Sequence, residues 1–306
     1  MISVVIPALN EADNLAVLLP RIRTVLEDTG RDWQIIVVDD GSSDDTAGVV
    51  GKLAVEDDRF ELLQHRRNLG KAAALDDGFT AVLAAGAEIV VMMDADGQDD
   101  PAELPRLLEA LDTADLVTGA RRKRQDRFIK RNTSKLYNWT TGKLSGAPGR
   151  DFNSGYKVMR AEVARDVTPM LYGEMHRYLT VIAHQAGYRV AEVTVQHHAR
   201  MSGTSKYGPA RFWRGFSDLL TVRFLMSYEN RPSHLFGGLG AVCFLVGVAV
   251  LTYLTGVKLT GEAIGGRPLL LAGVLLTVVG LQLALFGLLA ELVVHARNKA
   301  RRSGPA

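Results

Sequence analysis

One cysteine, Cys243, stands in a chain of 306 residues, which excludes an internal disulfide and a cysteine-ligated metal centre. Charge of one sign is equally scarce. Thirty-six basic residues face 34 acidic ones, and a formal net charge of +2 carries no global nucleic-acid signature. The amino terminus, Met-Ile-Ser-Val-Val-Ile-Pro, meets its first charge at Glu11; that apolar run is too short for a secretory leader, and no cleavage site follows it. Hydrophobic residues are plentiful, at 47% of the chain, but they are unevenly spread. That unevenness sets the fold class.

From residue 1 to 120 short apolar runs (2–7, 33–38, 60–64, 88–93 and 115–118) alternate with segments of helical period (14–27, 46–55, 71–85 and 102–111). In the first of these, Leu15, Leu18, Leu19 and Ile22 repeat at three and four residues, the spacing of one helix face. Strands apolar on both faces and separated by amphipathic helices predict an α/β fold, a mostly parallel sheet with helices on both faces. In such sheets ligands bind beyond the carboxyl ends of the strands. The polar loop starts Asn10-Glu11, Asp39-Asp40-Gly41-Ser42 and Asp94-Ala95-Asp96 would therefore gather at one edge.

Residues 121–150 are basic, and predict a loop followed by a helix through Tyr137 and Trp139. Residues 151–207 predict a closing segment with a strand over 188–195, giving a first domain of 1–207. The stretch 208–233 interleaves Phe212, Trp213, Phe216, Leu219, Leu220 and Phe224 with Arg211, Arg214 and Arg223, which suits a helix lying in a membrane interface or one packed on the globular part. Residues 234–306 change solvent. The run 235–254 has no charge, and 269–290 has Gln282 as its most polar member, with the second span continuing to 294. Each is long enough for a hydrocarbon core about 30 Å thick at about 1.5 Å per residue. The glycine-rich segment between them makes a transmembrane hairpin the expectation, against a buried pair of globular helices. Arg297, Lys299, Arg301 and Arg302 in the tail outweigh Lys258 and Arg267 in the loop, so the positive-inside rule places both termini, and the first domain, in the cytoplasm at the inner membrane. Gly237, Gly240 and Gly247 would permit close helix contact, including association with a second copy.

Residues 90–98, Val-Val-Met-Met-Asp-Ala-Asp-Gly-Gln, run an apolar strand into two carboxylates. In extended backbone the i, i+2 spacing sets Asp94 and Asp96 on one face, with Gln98 a step further, as hard oxygen ligands for Mg²⁺ or Mn²⁺. Asp39-Asp40-Gly41-Ser42 directly follows a strand; a carboxylate there can accept the N–H of a uracil or guanine, or serve as an ordinary turn and cap. Asn68-Leu69-Gly70-Lys71 opens a helix whose terminal amides and ammonium favour phosphate, or simply cap it. His197-His198 point to opposite faces on a strand, which favours structural over metal-binding roles.

Taken in order, Ile6-Pro7-Ala8-Leu9-Asn10-Glu11, Val38-Asp39-Asp40-Gly41-Ser42, Asn68-Leu69-Gly70-Lys71, Asp94-Ala95-Asp96-Gly97-Gln98 and Gly119-Ala120-Arg121 resemble the family 2 glycosyltransferases of GT-A fold. Asp151-Phe152-Asn153-Ser154-Gly155-Tyr156 and Arg200-Met201-Ser202-Gly203-Thr204-Ser205-Lys206-Tyr207 are similar to the polyprenyl-phosphate branch, the dolichyl-phosphate mannose synthase-like enzymes. The resemblance covers residues 2–230. It implies transfer of a hexose from a nucleotide sugar, of GDP-mannose or UDP-glucose type, to polyprenyl phosphate with inversion. It implies a donor site of Pro7, Asn10, Glu11, Asp39, Asp40, Ser42, Lys71, Asp94 and Asp96, with the metal on Asp94, Asp96 and Gln98. It further implies an acceptor-phosphate site of Arg121, Arg131, Ser134, Arg200, Ser205 and Lys206, with Asp94, Asp96, Arg121 and Arg200 carrying catalysis. Many relatives have Leu-Gln-His-Pro where this chain has Gly97-Gln98-Asp99-Asp100-Pro101; Gln98 is kept. No Gln-x-x-Arg-Trp string occurs, the nearest being Glu174-Met175-His176-Arg177-Tyr178, which argues against processive polysaccharide synthesis. No Gly-x-Gly-Thr-Arg run follows the first strand, unlike the nucleotidyltransferases of similar sheet.

A lipid phosphate, with a second pKa of about 6, needs positioning charge and no general base. Two other readings stand beside this one. A hydroxyl acceptor on a lipid or glycan would need a base, with Asp151 or Glu174 as candidates. A non-catalytic scaffold would only bind the nucleotide sugar. Neither the sugar nor the base can be named from these residues.

Overall fold

The structure, a computed structural model, describes residues 1–121, 146–149, 151–198 and 232–302. The chain divides into two compact units, Met1–Val222 and Arg223–Ala306. The acceptor-site candidates Arg131 and Ser134, the helix expected through Tyr137 and Trp139, the segment Arg200, Ser205, Lys206 and the interfacial stretch 208–231 lie outside the described residues. Pro232 and Ser233, expected to end that stretch, open the first apolar helix instead.

The first unit is built on β1 (Ile2–Ala8), β2 (Trp33–Asp39), β3 (Phe60–Gln64), β4 (Ile89–Met92), β5 (Leu116–Arg121), β6 (Lys157–Arg160) and β7 (Val190–Val195), in the order β3-β2-β1-β4-β6-β5-β7. Every pairing is parallel except those of β6, which runs antiparallel between β4 and β5. The mostly parallel sheet is as the pattern predicts. The reversed strand has a consequence for function. Because β6 runs backwards, its first residue, Lys157, pairs with Met92 and Thr118 near the carboxyl ends of their strands. The Asp151–Tyr156 motif is thereby delivered to the edge where the other loops end.

Helices α1 (Ala12–Asp28), α2 (Thr46–Glu56), α3 (Lys71–Ala84) and α4 (Leu104–Ala110) connect the parallel strands. Leu15, Leu18, Leu19, Ile22 and Leu26 of α1 are fully buried, the single stripe that three- and four-residue spacing dictates. They close over Val4, Ile6, Ile35 and Val37 in one core. Trp33 and Phe60 meet edge to face at 5.8 Å, with the Arg59 guanidinium 4.0 Å above the indole. Helices α5 (Ala161–Val167) and α6 (Leu179–Gln185) follow β6, with a 3₁₀ turn over Met175–Tyr178 between them.

The second unit is a pair of helices, α7 (Pro232–Leu259) and α8 (Pro268–Arg302). Ser233–Leu259 and Pro268–Ala296 are long and apolar enough to cross a membrane, with mean hydropathy 2.3 and 2.5. Their outer faces expose Leu245, Leu271, Leu289 and Leu292. Their inner faces meet through glycine. A Cβ on Gly240 would lie 2.7 Å from the Gly280 carbonyl oxygen, and one on Gly247 would lie 2.6 Å from the Thr277 amide nitrogen. Gly273, Gly280 and Gly287 repeat along α8 against Leu251, Phe244 and Phe236. The close contact expected of Gly240 and Gly247 is thus used inside the hairpin, and of the three glycines named above only Gly237 would carry a Cβ that meets nothing within 4 Å.

Candidate active site

The loops beyond β1 and β2 are tied into one piece. Asn10, in a left-handed conformation (φ 57°), donates its N–H to Ser42 Oγ (2.8 Å) and accepts from the Ser43 N–H at Oδ1 (2.7 Å). The Glu11 N–H donates to Thr46 Oγ1 (3.1 Å). Asp39, at the last position of β2, accepts from the Ser42 N–H (2.9 Å) and from Gln64 Nε2 (3.1 Å). Beside it an open cavity of about 250 Å³ is lined by Gly41, Ser42, Gln64, His65 and Arg66. Pro7 lies in β1, partly buried, one residue from its end.

Asp40 does different work. Its carboxylate accepts the N–H groups of Leu69 (2.7 Å) and Gly70 (2.8 Å), and His65 Nδ1 lies at 2.8 Å. Gly41 permits this closeness: at φ 75° its missing Cβ would fall 2.5 Å from the Arg67 carbonyl carbon. Asp40 is therefore a strut for the Asn68–Gly70 loop, the structural reading of the pair Asp39-Asp40. His65 also reaches Asp77 through Nε2 at 2.9 Å, so the ring bridges two carboxylates. Burial lowers its pKa, but the two hydrogen-bonded carboxylates outweigh that and raise it.

The strut fixes the start of α3, whose first residue, Lys71, donates to Asp94. β4 ends at Met92, and Ala95 and Asp96 form a turn. The shared face argued from strand alternation is thus not how these carboxylates are presented; a turn presents them. Asp96 Oδ1 accepts the Gln98 N–H at 3.1 Å. The Gly155 backbone lies directly against the Asp94 carboxylate, where any Cβ would overlap it. Burial pushes the Asp94 pKa up, but the Lys71 charge and hydrogen bond outweigh it and hold the group ionised below its ordinary range.

The Gln98 amide donates to the His198 carbonyl (3.3 Å), and the His198 N–H donates to the Gln98 carbonyl (2.9 Å). His198 Nε2 meets Asp100 Oδ2 at 2.8 Å, and His197 Nδ1 lies 3.4 Å from Asp99. The histidines lie beyond the end of β7 at Val195, not on a strand as expected, and each is placed against one carboxylate. Their partners are the two acidic residues by which this chain departs from the Leu-Gln-His-Pro pattern.

Among the described residues no three or more His, Cys, Asp or Glu side chains gather as a metal cage. Mg²⁺ is ordinarily held by one or two carboxylates with substrate phosphates and water, not by an all-protein cage. Asp94 just before the turn and Asp96 within it, with an amide oxygen nearby in sequence, fit that mode.

Arg121 ends β5 and forms a two-pronged pair with Asp151, Nε–Oδ2 2.6 Å and Nη2–Oδ1 2.8 Å. Burial would lower the guanidinium pKa, but the Asp151 hydrogen bonds raise it. Glu174 pairs with Arg177 at 2.6 Å. Three groups near the site were not singled out by the sequence. Lys157 is fully buried, donates to the Ser154 carbonyl (2.6 Å), and burial lowers its pKa to about 8. Its sequence carried little signal, since Lys157 opens a four-residue strand that also ends in a charge, Arg160. Gly155 and His176 carried no signal of their own beyond their motifs.

A doubly wound sheet whose acidic turn, helix terminus and cationic side chains meet at the carboxyl edge is the arrangement of an α/β protein with its ligand site beyond the strand ends. The chain belongs to the family 2 glycosyltransferases, whose description, Glycosyl transferase family 2, matches residues 3–185. It is 34% identical over 301 residues to a dodecaprenyl-phosphate galacturonate synthase of Rhizobium johnstonii, covering 96% of this chain and 88% of that one. It is 31% identical over 303 residues to an undecaprenyl-phosphate 4-deoxy-4-formamido-L-arabinose transferase of Edwardsiella ictaluri, covering 98% and 90%. Two solved structures share the GT-A fold. Mannosyl-3-phosphoglycerate synthase of Rubrobacter xylanophilus superimposes with a TM-score of 0.54 at 18% identity, over 74% of each chain. Glucosyl-3-phosphoglycerate synthase of Mycobacterium tuberculosis, solved with Mn²⁺, UDP-glucose and phosphoglyceric acid, gives 0.51 at 22%, over 73% of this chain and 79% of that one.

Proposed function

We propose that this enzyme transfers a hexose or hexuronic acid from a UDP- or GDP-linked donor to polyprenyl phosphate, with inversion, at the cytoplasmic face of the inner membrane. The relatives whose names specify dodecaprenyl and undecaprenyl phosphate support the acceptor. The observation that carries the choice is the state of the two candidate bases: Asp151 is clamped by two hydrogen bonds from Arg121, and Glu174 is ion-paired with Arg177. A hydroxyl acceptor needs a base, whereas a phosphate largely ionised at neutral pH does not.

Asp39 and the adjoining cavity receive the nucleobase, while Asn10, Glu11 and Ser42 shape its rim. Asp40 acts indirectly, by holding the loop that carries Lys71. Lys71 exchanges Asp94 for the donor diphosphate and positions it. Asp94, Asp96 and the Gln98 amide oxygen would hold Mg²⁺ or Mn²⁺, which as a Lewis acid stabilises charge on the departing diphosphate. Arg121, with Arg131, Ser134, Arg200, Ser205 and Lys206, holds the acceptor phosphate. The basic end of α8 supports cytoplasmic termini.

The test is transfer of labelled sugar from a donor panel into organic-extractable undecaprenyl phosphate by the purified full-length protein. Asp94→Asn and Asp96→Asn should each abolish the metal-dependent product while preserving the melting temperature. Full activity in both variants, or transfer only to hydroxyl lipids, would overturn the assignment.

A further inference from the structure

His176 sits on the 3₁₀ turn Met175–Tyr178, which packs against α3, the helix that begins with Lys71. Its ring is partly buried, and its Nδ1 atom is shut off from solvent without a well-formed hydrogen bond; among the described residues only the Gly173 backbone comes near enough to act on the ring as a hydrogen-bond partner. A buried polar atom left unpaired costs free energy, so such atoms in native folds usually have a partner that arrives from elsewhere, water or ligand. The surroundings narrow the choice. The imidazole feels the charges of both Lys71 and Asp94, the pair placed against the donor diphosphate above.

We infer that His176 is a sugar-contacting residue of the donor site, its imidazole hydrogen-bonding a hydroxyl of the sugar being transferred. This rests on the donor reading of the Lys71–Asp94 region. The chemistry favours the sugar over the phosphates. Anionic oxygens next to Lys71 already have a cation, whereas a neutral imidazole offers one donor and one acceptor nitrogen, the complement of a hydroxyl. Burial, joined by the charges of Lys71 and Arg177, holds this histidine well below its ordinary pKa and therefore neutral. Arg177 is paired with Glu174.

The experiment compares binding of UDP, UDP-glucose, UDP-galacturonate, GDP and GDP-mannose to full-length wild type, His176→Ala and His176→Asn, by calorimetry with Mn²⁺. In His176→Ala the dissociation constant of the sugar nucleotide should rise about tenfold relative to that of its bare nucleotide. The bare nucleotide itself should bind within about twofold of wild type, and His176→Asn should recover part of the loss. An unchanged ratio, or equal losses for the bare and sugar-linked nucleotides, overturns the inference alone. A wild type that binds none of the five removes the donor reading, and the inference with it.

Discussion

The Asp94 carboxylate rests on the bare backbone of Gly155, so the acidic turn after β4 and the loop before β6 are fitted to each other at one point. Gly155 has no left-handed φ, and its requirement is one of space. Gly155→Ala should therefore displace the carboxylate without changing the backbone's allowed conformations. Misplacing a reacting group by about 1 Å costs on the order of 10²-fold in rate. Transfer activity should fall by about that factor while the melting temperature stays near wild type; unchanged activity would mean that Asp94 is not held for the reaction.

Arg121 and Asp151 are mostly buried, at 17% and 10% side-chain exposure, and are joined by two hydrogen bonds that leave the other guanidinium N–H groups for a further anion. Asp151→Ala leaves a buried guanidinium unpaired, which costs roughly 3 kcal/mol or more. Thermal or denaturant unfolding should show that loss, and the double variant Asp151→Ala, Arg121→Met should regain most of it. If Asp151 were instead a free base, its removal would abolish turnover and leave stability unchanged.

The parallel sheet, the edge that gathers the acidic loops and the two long apolar helices were legible from the sequence, because strand and helix periods are local. Three things were not. Strand β6 is four residues long, and nothing in Lys157–Arg160 announces that it inserts backwards between β4 and β5. That long-range choice is what puts Gly155 against Asp94 and Arg121 against Asp151. Asp40 looked the equal of Asp39 as a base-binding carboxylate, and only the fold of the 65–70 loop onto it separates strut from site. The turn at Ala95–Asp96 was likewise hidden, since an apolar strand gives no sign of where its extension stops.

The strut carries a pH dependence with a definite sign. His65 bridges Asp40 and Asp77, and its folded pKa lies above the ordinary value of about 6.5. The protonated ring therefore stabilises the folded state fully below about pH 6.5, and that contribution is lost as pH rises through the folded pKa. The difference in melting temperature between wild type and His65→Asn should be largest at acidic pH and shrink toward alkaline pH. A difference that stays constant across that range would show that the bridge is made by a neutral ring.

The glycine seam of the hairpin separates two kinds of glycine, one on each helix. Gly280 meets the α7 backbone at Phe244 and Gly240, whereas a Cβ on Gly237 would meet nothing within 4 Å. In a membrane, helices that approach this closely associate through packing, which bulk at the contact removes. Gly280→Leu should destabilise the hairpin by about 1–3 kcal/mol, the cost of overpacking a tight contact. Gly237→Leu should leave it unchanged. Melting of both variants in the same detergent compares them directly. Equal losses would mean that Gly237 faces a partner of its own, and equal stability would mean that the two helices are not held by this seam.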